Sequence, residues 1–357
     1  MWQLLASFAR RVQERARPVR LLLNPGFGWM NDAWGPVTDY SFSSQRTGSN
    51  VRKALAFLWL NPWRLKRSFQ NHPPASVLLV SWHPLNFLVA RLAKFIYPDI
   101  PVITWLHEPY KDEKGVYGVK ALIIWLVELC QTLSLWYTDV VILHSRRGLR
   151  LFEKRYPNFQ GIKRVVPLQF QDDGFDAEIP RRYISFLGRA DRAKGIEEFF
   201  QLVEEGAKEQ LNCDFQIITG SDIQPYLKRL SAAAFRKLRV VYRPQLSDKE
   251  LRDGAANSLA LMALYRETMQ SGVIPLALMK GTPIIGTNIE GITEWVRDRE
   301  TGVIVSNKPA MEELLAAIVY VQDHLEDMTV RCRSHYLATF DDRNWDEHYG
   351  WLRSIIL

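Results

Sequence analysis

Cysteine is scarce: Cys130, Cys213 and Cys332 are the only three in 357 residues. They lie far apart with no C-x-x-C spacing, which argues against a disulfide framework and a cysteine zinc site and fits a reducing cytoplasm. No apolar run is long and clean enough to span a membrane. The longest apolar region, 119–143, holds Glu128, Gln131 and Asp139 and parses as a helix followed by the strand DVVIL. A secretory signal is not expected, because MWQLLASFARRVQERAR places its apolar residues before its arginines. Short internal repeats and low-complexity tracts are missing too.

The first half lacks acidic charge. Residues 1–171 carry 23 Lys and Arg against 10 Asp and Glu, whereas 172–357 carry 23 against 29. The basic character of the chain therefore belongs to its first half. Within it, 1–17 can form a helix with Trp2, Leu4, Leu5, Phe8 and Val12 near one side, and KALAFLWLNPWRLKR (53–67) mixes Leu, Phe and Trp with Lys and Arg. Aromatics interleaved with cations suit an anionic membrane surface; a solvated helix and an ordinary amphipathic core helix read equally well. Nucleic acid is not an expected partner, since no recognised binding module accompanies the charge.

Short, nearly continuous apolar strands alternate with helical stretches throughout. The first half has VRLLLN, SVLLVSW, PVITWLH, DVVILHS and RVVPL; the second has RYISFLG, CDFQIITG, RVVYRP, SLALMAL and TPIIGT. Such strands are buried on both faces, as in parallel sheets covered by helices. Two sets imply an α/β protein of two Rossmann-like, doubly wound parallel-sheet domains facing a central cleft, with ligands at the carboxyl ends of the strands. The expected domains are 1–171 and 172–340, followed by a helix in 341–357 that packs back on the first domain. QDDGFDAEIP (171–180), with Gly, Pro and four acids, reads as the linker.

At those carboxyl ends the sequence concentrates polar and glycine residues. The strand 258–264 runs into a polar loop, 265–272, and then a helix, 273–279, so loop amides point outward at a helix start, a site for phosphate or carboxylate. Gly272 allows a ligand to approach the backbone closely, and a second glycine turn opens a helix at Gly291. These turns are equally those of any doubly wound sheet. YISFLG leads into RADRAKG, so Gly188 is followed by Arg189 and Lys194, two cations beside a helix start that can neutralise a diphosphate; a solvated turn is the alternative. Gly220, Pro244 and Leu246 end two further strands and offer backbone groups to a nucleobase. In the first half His83 follows one strand and His107 and Glu108 follow the next, either as caps or as chemistry.

Together these motifs resemble the retaining nucleotide-sugar glycosyltransferases of family four, with the GT-B fold. FLGRADRAKGIEEFF resembles the family's Gly-Arg and Lys-Gly signature, which implies that Arg189 and Lys194 contact the donor diphosphate. LMKGTPIIGTNIEGITEWVRDRETGVIV resembles its glycine-rich tail and places Glu294 beside the donor. TWLHEP resembles the strand that delivers the active-site histidine, which implies that His107 lies beside the reacting sugar.

The chain departs from the family in register. The two glutamates separated by seven residues fall at Thr268 and Leu276, and Glu267 is one position off. YRETMQSGV instead resembles a subgroup in which Tyr265, Arg266, Gln270 and the Ser271, Gly272 and Val273 amides line the donor. NPGFGWMND gives Gly26 and Gly28 on the acceptor side in place of a Gly-Gly pair.

The resemblance implies transfer of a hexose, with retention, from a UDP- or GDP-linked sugar to a hydroxyl of a glycan or lipid-linked glycan, by a front-face route in which the leaving diphosphate assists deprotonation of the acceptor. No D-x-D occurs to clamp a metal, so a metal-independent enzyme without a cofactor is expected. It would act in the cytoplasm or on the inner face of the cytoplasmic membrane. The missing glutamates motivate an alternative, a non-catalytic nucleotide-sugar-binding subunit or scaffold of a glycan-assembly complex.

Overall fold

The computed structural model describes residues 21–22, 38–39, 61–71, 73–80, 85–109, 119–209 and 211–352. The expected helix at 1–17 and most of 53–67 lie outside them. The chain divides into two compact units, one of 1–167 with 345–357 and one of 168–344. Among the described residues no helix is long and apolar enough to cross a membrane.

In the first unit β1 (Leu21–Leu22) pairs in parallel with β2 (Thr38–Asp39). A four-stranded parallel sheet follows: β3 (Val77–Val80), β4 (Val102–Trp105), β5 (Val140–Leu143) and β6 (Ile162–Val165), in that spatial order. VITW and VVIL are wholly buried, as strands covered on both faces must be. β6 begins at Ile162, two residues before the expected RVVPL, because the Ile162 amide donates to Asp139 O at 2.8 Å and sets the register with β5. As an edge strand β6 tolerates its exposed Lys163. The described helices of this unit before residue 160 are Asn61–Asn71, Leu85–Ile96, Val119–Leu135 and Arg146–Arg155, the last N-capped by Ser145 Oγ, which accepts from Gly148 N at 2.9 Å. The short helix Trp345–Tyr349 belongs here as well: Tyr349 stacks on Trp345 with ring centres 4.4 Å apart and meets Trp105 edge-on at 6.2 Å.

The second unit holds six parallel strands: β7 (Tyr183–Leu187), β8 (Asp214–Thr219), β9 (Leu238–Tyr242), β10 (Ser258–Ala263), β11 (Ile284–Thr287) and β12 (Gly302–Val305). Their spatial order is β12-β11-β10-β7-β8-β9. The chain thus runs outward from β7 in one direction, returns to the middle at β10, and runs outward in the other. Helix Ile196–Lys208 packs Phe199 against Phe186 and Phe215, with ring centres 5.5 and 6.3 Å apart, and each such fully buried side chain is worth about 1.5–3 kcal/mol. Helix Asp248–Ala256 opens with a reciprocal capping box between Ser247 and Glu250.

The acidic stretch expected as a free linker is tied to the second unit at its start. Phe170 N donates to Phe340 O at 2.8 Å and Asp342 N to Phe170 O at 3.1 Å. Asp172 accepts from Arg333 at 2.6 Å and lies 3.2 Å from Arg343, and Asp173 pairs with Arg252 and Lys280, each at 2.6 Å. Four basic groups from distant parts of the sequence gather this segment, which composition alone does not foretell.

Candidate functional site

In an open parallel sheet a ligand-sized crevice opens where two adjacent strands send their connections to opposite faces. Here that point lies between β7 and β10. β7 ends at Leu187, and the amide of Gly188 just beyond it donates to Ile218 O at 2.9 Å. Asp191 then caps the single 3-10 turn Arg192–Lys194, accepting from Lys194 N at 3.0 Å. Gly195 follows in the left-handed region at φ 78°. An added Cβ there would lie 2.5 Å from Leu264 O, so only glycine lets the loop after β7 press against the end of β10. The Arg266 amide completes the junction, donating to Ala193 O at 2.9 Å.

Lys194 Nζ stands 3.6 Å above the ring centre of Tyr265. Tyr265 is buried, and its hydroxyl shares a 3.0 Å hydrogen bond with Ser271 Oγ. One aromatic side chain therefore spans from the cation after β7 to the serine that leads into helix Val273–Met279. Burial pushes the Tyr265 hydroxyl up to about 12, so it stays protonated. Ile274 N donates to Ser271 O at 3.2 Å, and a Cβ on Gly188 would come 3.7 Å from Val273, so the β7 end and this helix start are neighbours.

The two arginines differ. Arg189 is 74% exposed and pairs with Asp191 at 2.6 Å; such a surface pair is worth about 0–1 kcal/mol and yields readily to a stronger partner. Arg266 is held by the first-turn carboxylates of Ile196–Lys208, 3.4 Å from Glu197 and 3.1 Å from Glu198. Glu267 is exposed, Gln270 is half-buried, and Thr268 is buried with its hydroxyl donating to Gln270 O at 2.9 Å. Glu294 caps the short helix Glu290–Thr293, where an added Cβ on Gly291 would fall 2.0 Å from Thr268 O. Gly220 packs on its neighbour strand's end, with a Cβ there 3.1 Å from Arg243 O and 3.3 Å from Pro244 O. The Ser221 hydroxyl, which accepts from Ala190 N at 3.0 Å, joins that side to the β7 loop. Leu246 continues beyond Pro244 and is packed against the core.

In the first unit, His107 lies just past β4 and Glu108 is exposed. The His107 ring meets His144, at the end of the adjacent β5, with centres 5.7 Å apart and planes at 66°. His144 was not among the expected site residues, although it follows a strand in the same manner as His107. Trp105 Nε1 donates to His144 Nε2, which leaves the proton on Nδ1 to reach Val166 O at 2.9 Å. Burial lowers His107 to about 4 and His144 to about 3, the latter also opposed by His107's charge. Both imidazoles are neutral at pH 7. Gly26, Gly28 and His83 lie outside the described residues. Among the described residues no group of three His, Cys, Asp or Glu could hold a metal ion.

This geometry can be set beside known proteins. Residues 181–324 match the family model described as Glycosyl transferases group 1. The matched interval takes in all six strands of the second unit. No curated protein matches the chain in sequence. Among solved structures, Alr3699/HepE of Anabaena, in complex with UDP, aligns with a TM-score of 0.71 at 14% identity, over 98% of this chain and 95% of that one. TarM of S. aureus aligns with a TM-score of 0.62 at 12% identity, over 83% of this chain. The chain spans 58% of TarM's length. Sucrose-phosphate synthase from Thermosynechococcus elongatus aligns at 0.58 and 17% identity, over 90% and 81%. The fold is GT-B. The six-stranded unit is the one that carries the group 1 match, and the switch point of its sheet lies between β7 and β10.

Proposed function

We propose that the chain is a metal-independent retaining glycosyltransferase that moves a hexose from a nucleotide diphosphate sugar to a hydroxyl of a glycan or lipid-linked glycan. One observation carries this reading: Lys194, Tyr265 and Ser271 are joined at the switch point of a unit that matches a glycosyl transferase family. HepE is known with UDP and with UDP-glucose, and GtfA with UDP and GlcNAc, which favours a uridine donor here over guanosine.

The donor diphosphate would take Lys194, Arg189 released from Asp191, and the Gly272 and Val273 amides. Gly272 has φ −64°, and among the described residues its added Cβ would meet only Phe170 at 3.8 Å, which leaves room for a ligand to approach the backbone closely. As the bond to the anomeric carbon breaks, negative charge builds on the leaving phosphate, and cations already in place stabilise it without reorganisation. That phosphate then receives the acceptor's proton on the same face of the sugar. His107, a neutral imidazole, would hydrogen-bond a sugar hydroxyl and leave the phosphates to the cations. The first unit would hold the acceptor, at the inner face of the cytoplasmic membrane. No cofactor beyond the donor is required.

A thermal-shift panel of UDP, GDP, ADP and CMP, with and without magnesium, tests the donor site, since a ligand at 100 times its Kd adds about 2.7 kcal/mol of stability. Stabilisation by one diphosphate without metal, and donor turnover that survives a chelator, are expected. Loss of turnover on chelation with recovery in manganese would overturn the metal-independent assignment. A non-catalytic nucleotide-sugar-binding subunit is favoured by one feature, the Thr268 and Leu276 that stand where the family has glutamates. Lys194→Met and His107→Ala separate the two readings: an enzyme loses turnover, a scaffold loses only affinity.

A further inference from the structure

We propose that Arg266 is a positioning residue: with Arg192, Glu197 and Glu198 it forms an ion-pair cluster that clamps the loop after β10 onto the loop after β7 and so holds Lys194 over Tyr265. The inference rests on the donor reading above and gives Arg266 a part in it other than contact with the diphosphate.

The two loops run against each other residue by residue. Ala193 O accepts from the Arg266 amide at 2.9 Å. Lys194 Nζ stands 3.6 Å from the centre of the Tyr265 ring. Gly195 comes so near Leu264 that an added Cβ would lie 2.5 Å from its carbonyl oxygen. Residues 193, 194 and 195 thus face 266, 265 and 264. On the Gly195 side the two backbones are in direct contact. On the Ala193 side the tie is a backbone hydrogen bond, and the Arg266 side chain adds a second. Its guanidinium lies 3.4 Å from Glu197 and 3.1 Å from Glu198, and Glu197 also takes Arg192 Nε at 2.8 Å. Arg192 belongs to the 3-10 turn after β7, and the two glutamates belong to the first turn of Ile196–Lys208. The cluster therefore grips the β7 loop on both sides of Lys194.

Charge decides between positioning and direct contact. Two arginines against two glutamates are neutral, so the cluster offers an anion no net attraction. A phosphate drawn to Arg266 would stand beside two carboxylates, and like charges at such distances repel. Glu197 and Glu198 also meet the positive end of their own helix. Arg189 is in the opposite situation, 74% exposed and held by Asp191.

Glu198→Gln separates the two roles by sign. Removing a carboxylate beside a phosphate ligand strengthens anion binding, whereas loosening a clamp weakens it. Calorimetry of the full chain with UDP and UMP, and with GDP and GMP, measures the preference for diphosphate over monophosphate. That preference is expected to fall about three- to tenfold in Glu198→Gln, in Glu197→Gln/Glu198→Gln and in Arg266→Leu, with monophosphate binding as in wild type. The fall should vanish in a Lys194→Met background, because the cluster acts through that lysine. A Glu198→Gln variant whose preference is kept or raised overturns the proposal, even if its unfolding temperature drops. So does a loss that persists undiminished in the Lys194→Met background. A wild type that binds neither diphosphate better than its monophosphate overturns the donor reading and this inference with it. Discrimination by the wild type therefore tells the two failures apart.

Discussion

Gly195→Ala is the sharpest test of how the crevice is assembled. The residue sits at φ 78°, and a methyl there would lie 2.5 Å from Leu264 O and 2.6 Å from Leu264 Cβ. A left-handed alanine costs about 1–2 kcal/mol. Overpacking against backbone adds about 1–3 kcal/mol, because the carbonyl at the end of β10 cannot swing aside as a flexible side chain would. The total, about 2–5 kcal/mol, is a large share of a stability of about 5–15 kcal/mol. Gly174→Ala supplies the control: its φ is 95°, yet among the described residues an added Cβ would find no atom within 4 Å. It should show the backbone cost alone. Native-state hydrogen exchange of the β7 amides, which reads the opening energy of the second unit directly, measures both. Because the same contact sets the spacing of the two crevice loops, Gly195→Ala should also weaken nucleotide diphosphate binding, whereas Gly174→Ala should not. Equal destabilisation by the two variants would refute the view that close contact with Leu264 is what requires glycine at 195.

Further outcomes follow from the same site and its supports. Lys194→Met should weaken nucleotide diphosphate binding by about 10- to 150-fold in calorimetry, the loss of a charge-assisted bond of about 1.5–3 kcal/mol, and leave the monophosphate nearly unaffected. Tyr265→Phe retains the ring beneath Lys194 and should bind nearly as wild type, while Tyr265→Leu should lose about 0.5–2 kcal/mol of that binding. His107 should titrate near 4 by NMR. The unfolded chain takes up that proton near 6.5 and the folded one only near 4, so stability should be full above pH 6.5 and decline as pH falls towards 4, and His107→Gln should flatten that decline. Asp172, held below the usual carboxylate range chiefly by Arg333, contributes stability that is present above the unfolded pKa and lost as pH falls through the folded one. Asp172→Asn should cost about 1.5 kcal/mol at pH 7 in urea unfolding and remove that part of the acid limb.

Much of this protein is written locally. Continuous apolar segments such as VVIL and SLALMA can satisfy only strands buried on both faces, so the alternation of strand and helix, and with it two parallel α/β units, is legible from periodicity. Helix Val273–Met279 and the glycine turns before Gly195 and Gly291 are local as well, because backbone angles and first-turn amides depend on neighbours in sequence. What depends on pairing across tens or hundreds of residues is not legible. Strand order is the chief case: nothing in YISFL or SLALMA says that β7 and β10 lie side by side, yet that adjacency sets the switch point of the sheet. Lys194 over Tyr265, Arg266 captured by Glu197 and Glu198, His144 pinned by Trp105, and Asp172 gathered by Arg333 are likewise contacts between side chains brought together only by folding. The sequence by itself determined which residue types stand at the strand ends. The tertiary structure decided which of their charges and rings meet which neighbours, because an ion pair or a buried ring depends on distance in space and leaves no period along the chain.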